Sequence, residues 1–202
     1  MMKIVSIITG DIINSRDSEP KEWLPVLKKE FNKYGGEPKS WEIFRGDSFQ
    51  LEVNKTKGLR AALLIKAAIK QNSDIDVRMA IGIGTKSHNA DKITEANGTA
   101  FINSGHCFEH LKRNTLAVET GHDAIDYPLN IMIDLAALTT DNWTPTAAET
   151  LKAALEHPNY NQKELAKLLE KTQSNISAGL KRYGYDEIIK LLNYYEQQTQ
   201  TL

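Results

Sequence analysis

Two aspartates, Asp11 and Asp47, each follow a glycine at the end of an apolar, strand-like run. The first lies in Gly10-Asp11-Ile12-Ile13-Asn14-Ser15-Arg16, after the run KIVSIIT. The second lies in Arg45-Gly46-Asp47-Ser48-Phe49-Gln50, after the run WEIF. A carboxylate at a strand terminus sits on the rim of a sheet, where it meets solvent, a metal or a ligand. Two of them on neighbouring strands could hold Mg²⁺ against the phosphates of a nucleotide, because that hard ion takes oxygen ligands and shares them with phosphate. Gly-Asp is also common turn chemistry, and either motif alone reads first as a turn.

The other groups with chemical potential say less. His88, His106, His110, His122 and His157 show no zinc spacing, although His106 and His110 stand four apart on an expected helix. Cys107 is the single cysteine of 202 residues, which excludes an internal disulfide and a cysteine-cluster metal site and fits a reducing compartment. The net charge of −1 gives no global field toward nucleic acid or an anionic membrane. Met1 leads directly into a short strand-like run interrupted by Ser6, so no signal peptide is read. No apolar run approaches the roughly 20 residues of a membrane span. The expectation is a cytoplasmic, soluble protein without a membrane partner.

The elements that must position the aspartates follow from hydrophobic periodicity. Residues 3–11 read as a buried strand. Ser18-Glu19-Pro20 opens a helix with Trp23, Leu24, Leu27 and Phe31 on one stripe, in which Pro25 is awkward outside the first turn. Residues 41–53 read as two strands joined at Gly46-Asp47-Ser48, and residues 57–71 as a helix. In the strand from Asp76 to Gly84, Val77, Met79, Ile81 and Ile83 share one face and Arg78, Ala80, Gly82 and Gly84 the other. That second face is nearly bare, so either a ligand or a packed helix approaches it closely. Residues 98–113 read as a helix, 115–120 as a strand and 128–138 as a helix. Strands alternating with helices around one hairpin imply an α+β fold with helices on a mainly antiparallel sheet. A Rossmann fold is disfavoured, since no Gly-x-Gly-x-x-Gly follows the first strand.

Composition changes after Trp143, and strand-type runs disappear. Two domains are expected, residues 1–143 and 144–202. In the second, Asn161 caps a helix over residues 162–170, and a short break leads to a helix over residues 173–182 burying Ile176 and Leu180. Two short helices across a tight turn describe a helix-turn-helix. Gln173, Ser174, Asn175 and Ser177 can hydrogen-bond bases or phosphates, and Lys181 and Arg182 can meet the DNA backbone. Gln162-Lys163-Glu164-Leu165-Ala166 with Gln173-Ser174-Asn175-Ile176-Ser177 is similar to a pattern of many bacterial regulators. Seven basic and seven acidic residues from Pro145 onward leave this segment neutral, which keeps a protein-contact role open. The last helix, residues 185–198, is apolar enough to close the small domain or to pair with a second copy, and a homodimer is expected.

The N-terminal order resembles the palm shared by class III nucleotidyl cyclases and diguanylate cyclases. The matching features are Asp11, the helix after Ser18, Gly46-Asp47, residues 57–71 and Arg78-Met79-Ala80-Ile81-Gly82-Ile83-Gly84. GDIINSR with GDSFQ is similar to the SatD-like family of bacterial proteins, some of which carry a helix-turn-helix. The resemblance spans about residues 1–140 and implies a ferredoxin-like palm. It implies Mg²⁺ or Mn²⁺ at Asp11 and Asp47 and a nucleoside triphosphate or other nucleotide near the Ile12 carbonyl, Ser15, Arg16 and Asn103. Cys107 stands where cyclases place a transition-state Arg, and Ser48 where diguanylate cyclases place an acid. The function expected is a DNA-binding regulator that senses a metal–nucleotide. The alternative is an active cyclase or nucleotide polymerase whose tail dimerises or recruits partners.

Overall fold

The computed structural model describes residues 3–202; Met1 and Met2 lie outside the described residues. It is an α+β structure with a five-stranded mixed sheet and eight α-helices among those residues. The strands are β1 (Lys3–Ile13), β2 (Trp41–Phe44), β3 (Ser48–Asn54), β4 (Asp76–Lys86) and β5 (Leu116–Glu119). Between them run α1 (Pro20–Phe31), α2 (Gly58–Ile69) and α3 (Thr99–His110). Then come α4 (Asp123–Thr140), α5 (Pro145–Glu156), α6 (Gln162–Leu168), α7 (Gln173–Arg182) and α8 (Tyr185–Gln200). The sheet order is β2-β3-β1-β4-β5, antiparallel throughout except for the β4–β5 edge.

β1 is the middle strand, and its alternation divides the molecule. Ile8 and Ile12 join Met79, Ile81, Phe49 and Leu51 under α1 and α2, in one apolar core with Trp23, Leu27, Phe31 and Leu59. Val5 and Ile7 face the other way, toward Ala100 of α3. The bare face of β4 belongs to that side, and a helix covers it. A Cβ on Gly82 would come 2.1 Å from the Ser104 backbone nitrogen, and one on Gly84 would come 2.7 Å from that of Ala100. The small residues therefore let α3 lie almost on the backbone of the sheet, and no ligand platform exists there.

Several boundaries differ from expectation. β1 continues two residues past Asp11, to Ile13. α4 begins at Asp123 rather than at Pro128, and Pro25 lies inside α1 beyond its first turn. Each proline is the sixth residue of its helix, and the carbonyl it leaves without an N–H donor belongs to an exposed residue, Lys21 or Ala124, where water can replace it. The stretch after Trp143 is helical, opened by Thr144, whose side chain accepts from the Ala147 N–H as the N-cap of α5. The apolar face of α8 is turned inward. Ile188, Leu191, Leu192 and Tyr195 are buried, and the Tyr195 hydroxyl sits 3.3 Å from both Ser6 Oγ and the Lys55 carbonyl.

One polar cluster lies within this packing. The Lys66 side chain of α2 is fully buried, and its Nζ lies 3.0 Å from Asp76 Oδ1, 2.9 Å from Asp141 Oδ1 and 3.2 Å from Thr115 Oγ1. Lys70 Nζ donates to Asp76 Oδ2 at 3.0 Å and to the Asp141 carbonyl at 2.8 Å. Two ammonium groups and two carboxylates thus neutralise one another while joining α2, the start of β4, the start of β5 and the end of α4. Removing one member of such a buried pair costs about 3–5 kcal/mol, because the survivor is left charged and unpaired.

Gly82→Ala has to push α3 away from the sheet. The expected loss is about 1–3 kcal/mol, read as a lower urea midpoint with an unchanged slope. An unchanged midpoint would show that α3 has room to yield.

Candidate functional site

The two Gly-Asp motifs differ in construction. Gly10 lies within β1, where a Cβ would come 2.5 Å from the Phe49 ring and 2.8 Å from the Arg78 carbonyl, so its hydrogen is what lets Phe49 cross the strand. Gly46 lies in the β2–β3 hairpin at φ +94°, beside Arg45 at φ +52°. That loop needs left-handed backbone, which glycine adopts without strain. Asp11 is thus a strand residue held between two neighbours, and Asp47 a turn residue at the tip of a hairpin.

The sheet register brings them to one rim. Asp11 is opposite Ser48 on β3 and opposite Arg78 on β4. Arg78 closes on Asp11 as a two-pronged pair: its Nε donates to Oδ1 and its Nη2 to Oδ2, both at 2.8 Å. Its hydrogen bonds to Asp11, then the charges of Asp11 and Asp47, hold the guanidinium above its ordinary pKa. The Phe108 ring of α3 lies 4.9 Å from the guanidinium carbon, a cation–π contact on its apolar side. At the hairpin tip, Asp47 Oδ2 accepts from the Ser15 hydroxyl. Ser15 and Arg16 sit on a 3₁₀ turn entered through Asn14 at φ +61°, and Arg16 points to solvent. The side chains of Asp11 and Arg78 remain 22% and 38% exposed, so the pair is accessible from outside.

Asp11, Asp47, Ser15 and Arg16 are therefore gathered at one end of the sheet. Ile12 belongs there by position, but its side chain is in the core opposite Val77. Asn103 is not brought to this rim: its amide donates to the Ile83 carbonyl at 2.8 Å. Ile83 is five residues, about 17 Å, along β4 from Arg78. Arg78 is the member of this cluster that the sequence did not single out as a site residue. Its place on the non-core face of β4 was visible, but the register that puts it against Asp11 was not.

Two carboxylates and a main-chain carbonyl are suitable donors for Mg²⁺ or Mn²⁺. In this arrangement, however, Asp11 gives both oxygens to Arg78. A bare cation must compete with a guanidinium held by two charge-assisted hydrogen bonds. A metal–nucleotide brings its own remedy, since a phosphate offers Arg78 the same paired acceptor oxygens and leaves Asp11 to the ion. The donor set thus fits a metal arriving with phosphate, with Asp11 and Asp47 as the residues that would hold it.

Elsewhere the candidates recede. Cys107 is on the buried face of α3, and burial pushes its thiol up to about 12, so it is an unreactive core residue. His106 Nδ1 meets Glu119 Oε2 at 2.7 Å, a hydrogen bond that raises the imidazole pKa. No group of three or more metal-ligating side chains occurs among the described residues. At the far end of the chain, Gln173, Ser174, Asn175, Ser177, Lys181 and Arg182 all lie exposed on α7, while Ile176 and Leu180 anchor it from beneath. Asn161 and Glu164 form a capping box at the start of α6, and Thr172 caps α7. No protein-family model, curated protein or solved structure matches this chain.

The Arg78–Asp11 pair makes a specific prediction about metal alone. Mg²⁺ or Mn²⁺ without nucleotide leaves the wild-type melting temperature unchanged, whereas Arg78→Ala gains a metal-dependent rise that Arg78→Ala/Asp11→Asn lacks. A rise in the wild type with bare metal would show that Arg78 does not guard the carboxylate.

Proposed function

We propose that this chain is a cytoplasmic DNA-binding regulator that senses a metal–nucleotide at the Asp11–Asp47 rim. In this reading residues 1–143 form a ferredoxin-like palm of the nucleotidyl cyclase type, and residues 144–202 a helix-turn-helix domain. The observation that carries it is the meeting of Asp11, Asp47, Ser15 and Arg78 at one accessible sheet end, from three separate segments of the chain. Mg²⁺ or Mn²⁺ held by the two aspartates would neutralise phosphate charge. Arg78, Arg16 and the Ser15 hydroxyl would take the remaining phosphate oxygens. The exposed polar face of α7 supports the second half of the reading. Its four small or amide residues can reach base edges, with Lys181 and Arg182 for the backbone, in a two-copy arrangement suited to a two-fold operator.

One observation favours a catalytic alternative, an active cyclase or nucleotide polymerase. Such chemistry needs positioned positive charge at the transferring phosphoryl group. Cys107 cannot supply it, but Arg78 stands at the carboxylates.

Each of the four common ribonucleoside triphosphates, added with Mg²⁺ or Mn²⁺, distinguishes these readings. The sensor raises its melting temperature with at least one of them, loses the rise in Asp47→Ala and releases no pyrophosphate. Pyrophosphate release abolished by Asp47→Ala establishes the enzyme instead. No thermal response to any of the four, with metal present, contradicts both.

DNA binding is tested on the DNA upstream of the protein's own coding sequence. Affinity should fall steeply with salt, and Arg182→Ala or Gln173→Ala should weaken it about tenfold or more, the equivalent of a lost contact of about 1–3 kcal/mol. Salt-insensitive binding, or binding indifferent to both substitutions, contradicts a role for α7.

A further inference from the structure

α4 has a second apolar face that none of the described residues covers. Its inner residues Leu129 and Ile133 are buried in the core. On the outside, Tyr127, Ile131, Leu135 and Leu138 are 73%, 44%, 61% and 71% exposed. At about 100° per residue these four fall within roughly 80° of arc, and exposed Ala124 falls in the same stripe. The stripe continues into a groove of about 640 Å³ between α4 and α8, whose walls include Met132, Leu135, Leu191 and Tyr194. Single exposed leucines need no explanation, but four large apolar side chains in line mark a contact surface.

The order of the stripe indicates what covers it. It is palindromic about Ile131: Tyr127 and Leu135 stand four residues to either side, and Ala124 and Leu138 seven. A two-fold axis at Ile131 lays α4 antiparallel on its copy. Ile131 then meets Ile131, Tyr127 meets Leu135, and small Ala124 meets large Leu138, so that the ridge of one helix enters the groove of the other. Antiparallel pairing also opposes the two helix dipoles favourably. α8, the other element with enough apolar surface for a seam, has its apolar residues in the protein's own core.

We propose that α4 is the seam of a homodimer, in which a second copy of this chain lies antiparallel across it about a two-fold axis at Ile131. The interface is isologous, each contact occurring twice except at the axis. It supplies the surface for the two-copy state used in the DNA reading, but it rests on oligomeric state alone, so failure of DNA or nucleotide binding leaves it standing.

Sedimentation and oxidative cross-linking test it together. The wild type should sediment as a concentration-dependent dimer. Leu135→Asp, which changes an exposed position, should sediment as a monomer with an unaltered far-UV spectrum. Ile131→Cys should form a disulfide-linked dimer under mild oxidation, because its copies meet at the axis. Leu138→Cys should not, because its copies lie about 21 Å apart along the paired helices. The buried native Cys107 gives no background. A wild type that is monomeric at every concentration overturns the proposal. So does a dimer that survives Leu135→Asp, or a Leu138→Cys chain that cross-links as readily as Ile131→Cys.

Discussion

A buried ammonium holds the architecture in register. Lys66 reaches from α2 to Asp76, Thr115 and Asp141, which start β4, precede β5 and follow α4 respectively. The charges cancel within the cluster with the help of Lys70, and this is the condition under which burial of charge is tolerated. Its consequence is positional. β4 is pinned at its first residue, two places before Arg78, so the guanidinium begins its reach toward Asp11 from a fixed backbone. α4 is pinned at its last turn, which sets the face it turns inward and hence the face it leaves outside. The site and the apolar stripe both depend on the same few polar contacts.

The rim chemistry then follows from the position of β1. As the middle strand it is paired on both sides, so Asp11 has a fixed neighbour on β3 and another on β4. A carboxylate held in this way is presented rather than flexible, and Arg78 pairs with both of its oxygens. Asp47 is different in kind. It stands on a hairpin tip next to two residues of positive φ, and the Ser15 hydroxyl steadies it. One fixed carboxylate and one on a turn suit an ion that enters with its phosphate ligands, because the second can adjust while the first sets the place.

Most of the element order was legible in the sequence, because each element carries its own periodicity. The run KIVSIIT, the stripe Trp23–Leu27–Phe31 and the cap Asn161 are local signals, and the structure uses them as such. What was not legible depends on register or on a third element. Alternation showed that Arg78 shares a face with Ala80, Gly82 and Gly84, but a single strand does not name its opposite residue 67 positions away. The same bare face was ambiguous between a ligand and a helix until α3 was seen on it. The helix read from Pro128 begins at Asp123, and in its first turn Asp126 accepts from the Thr120 N–H, a contact no local periodicity shows. The apolar face of α8 read equally as closing the small domain or as a seam, whereas the structure packs its Tyr195 on Ser6 and Lys55 of the N-terminal region.

The central claim is that Arg78 exchanges Asp11 for phosphate when a metal–nucleotide binds, and the Arg78 Nε–H resonance reports on that exchange directly. In the free protein it should be shifted downfield and protected from solvent, and Asp11→Asn should abolish both properties. Titration with bare Mg²⁺ should leave the resonance where it is, and Mg²⁺ with the nucleoside triphosphate recognised should move it. A resonance that stays fixed through titrations with all four common Mg²⁺–ribonucleoside triphosphates would contradict the account, as would one that moves with Mg²⁺ alone.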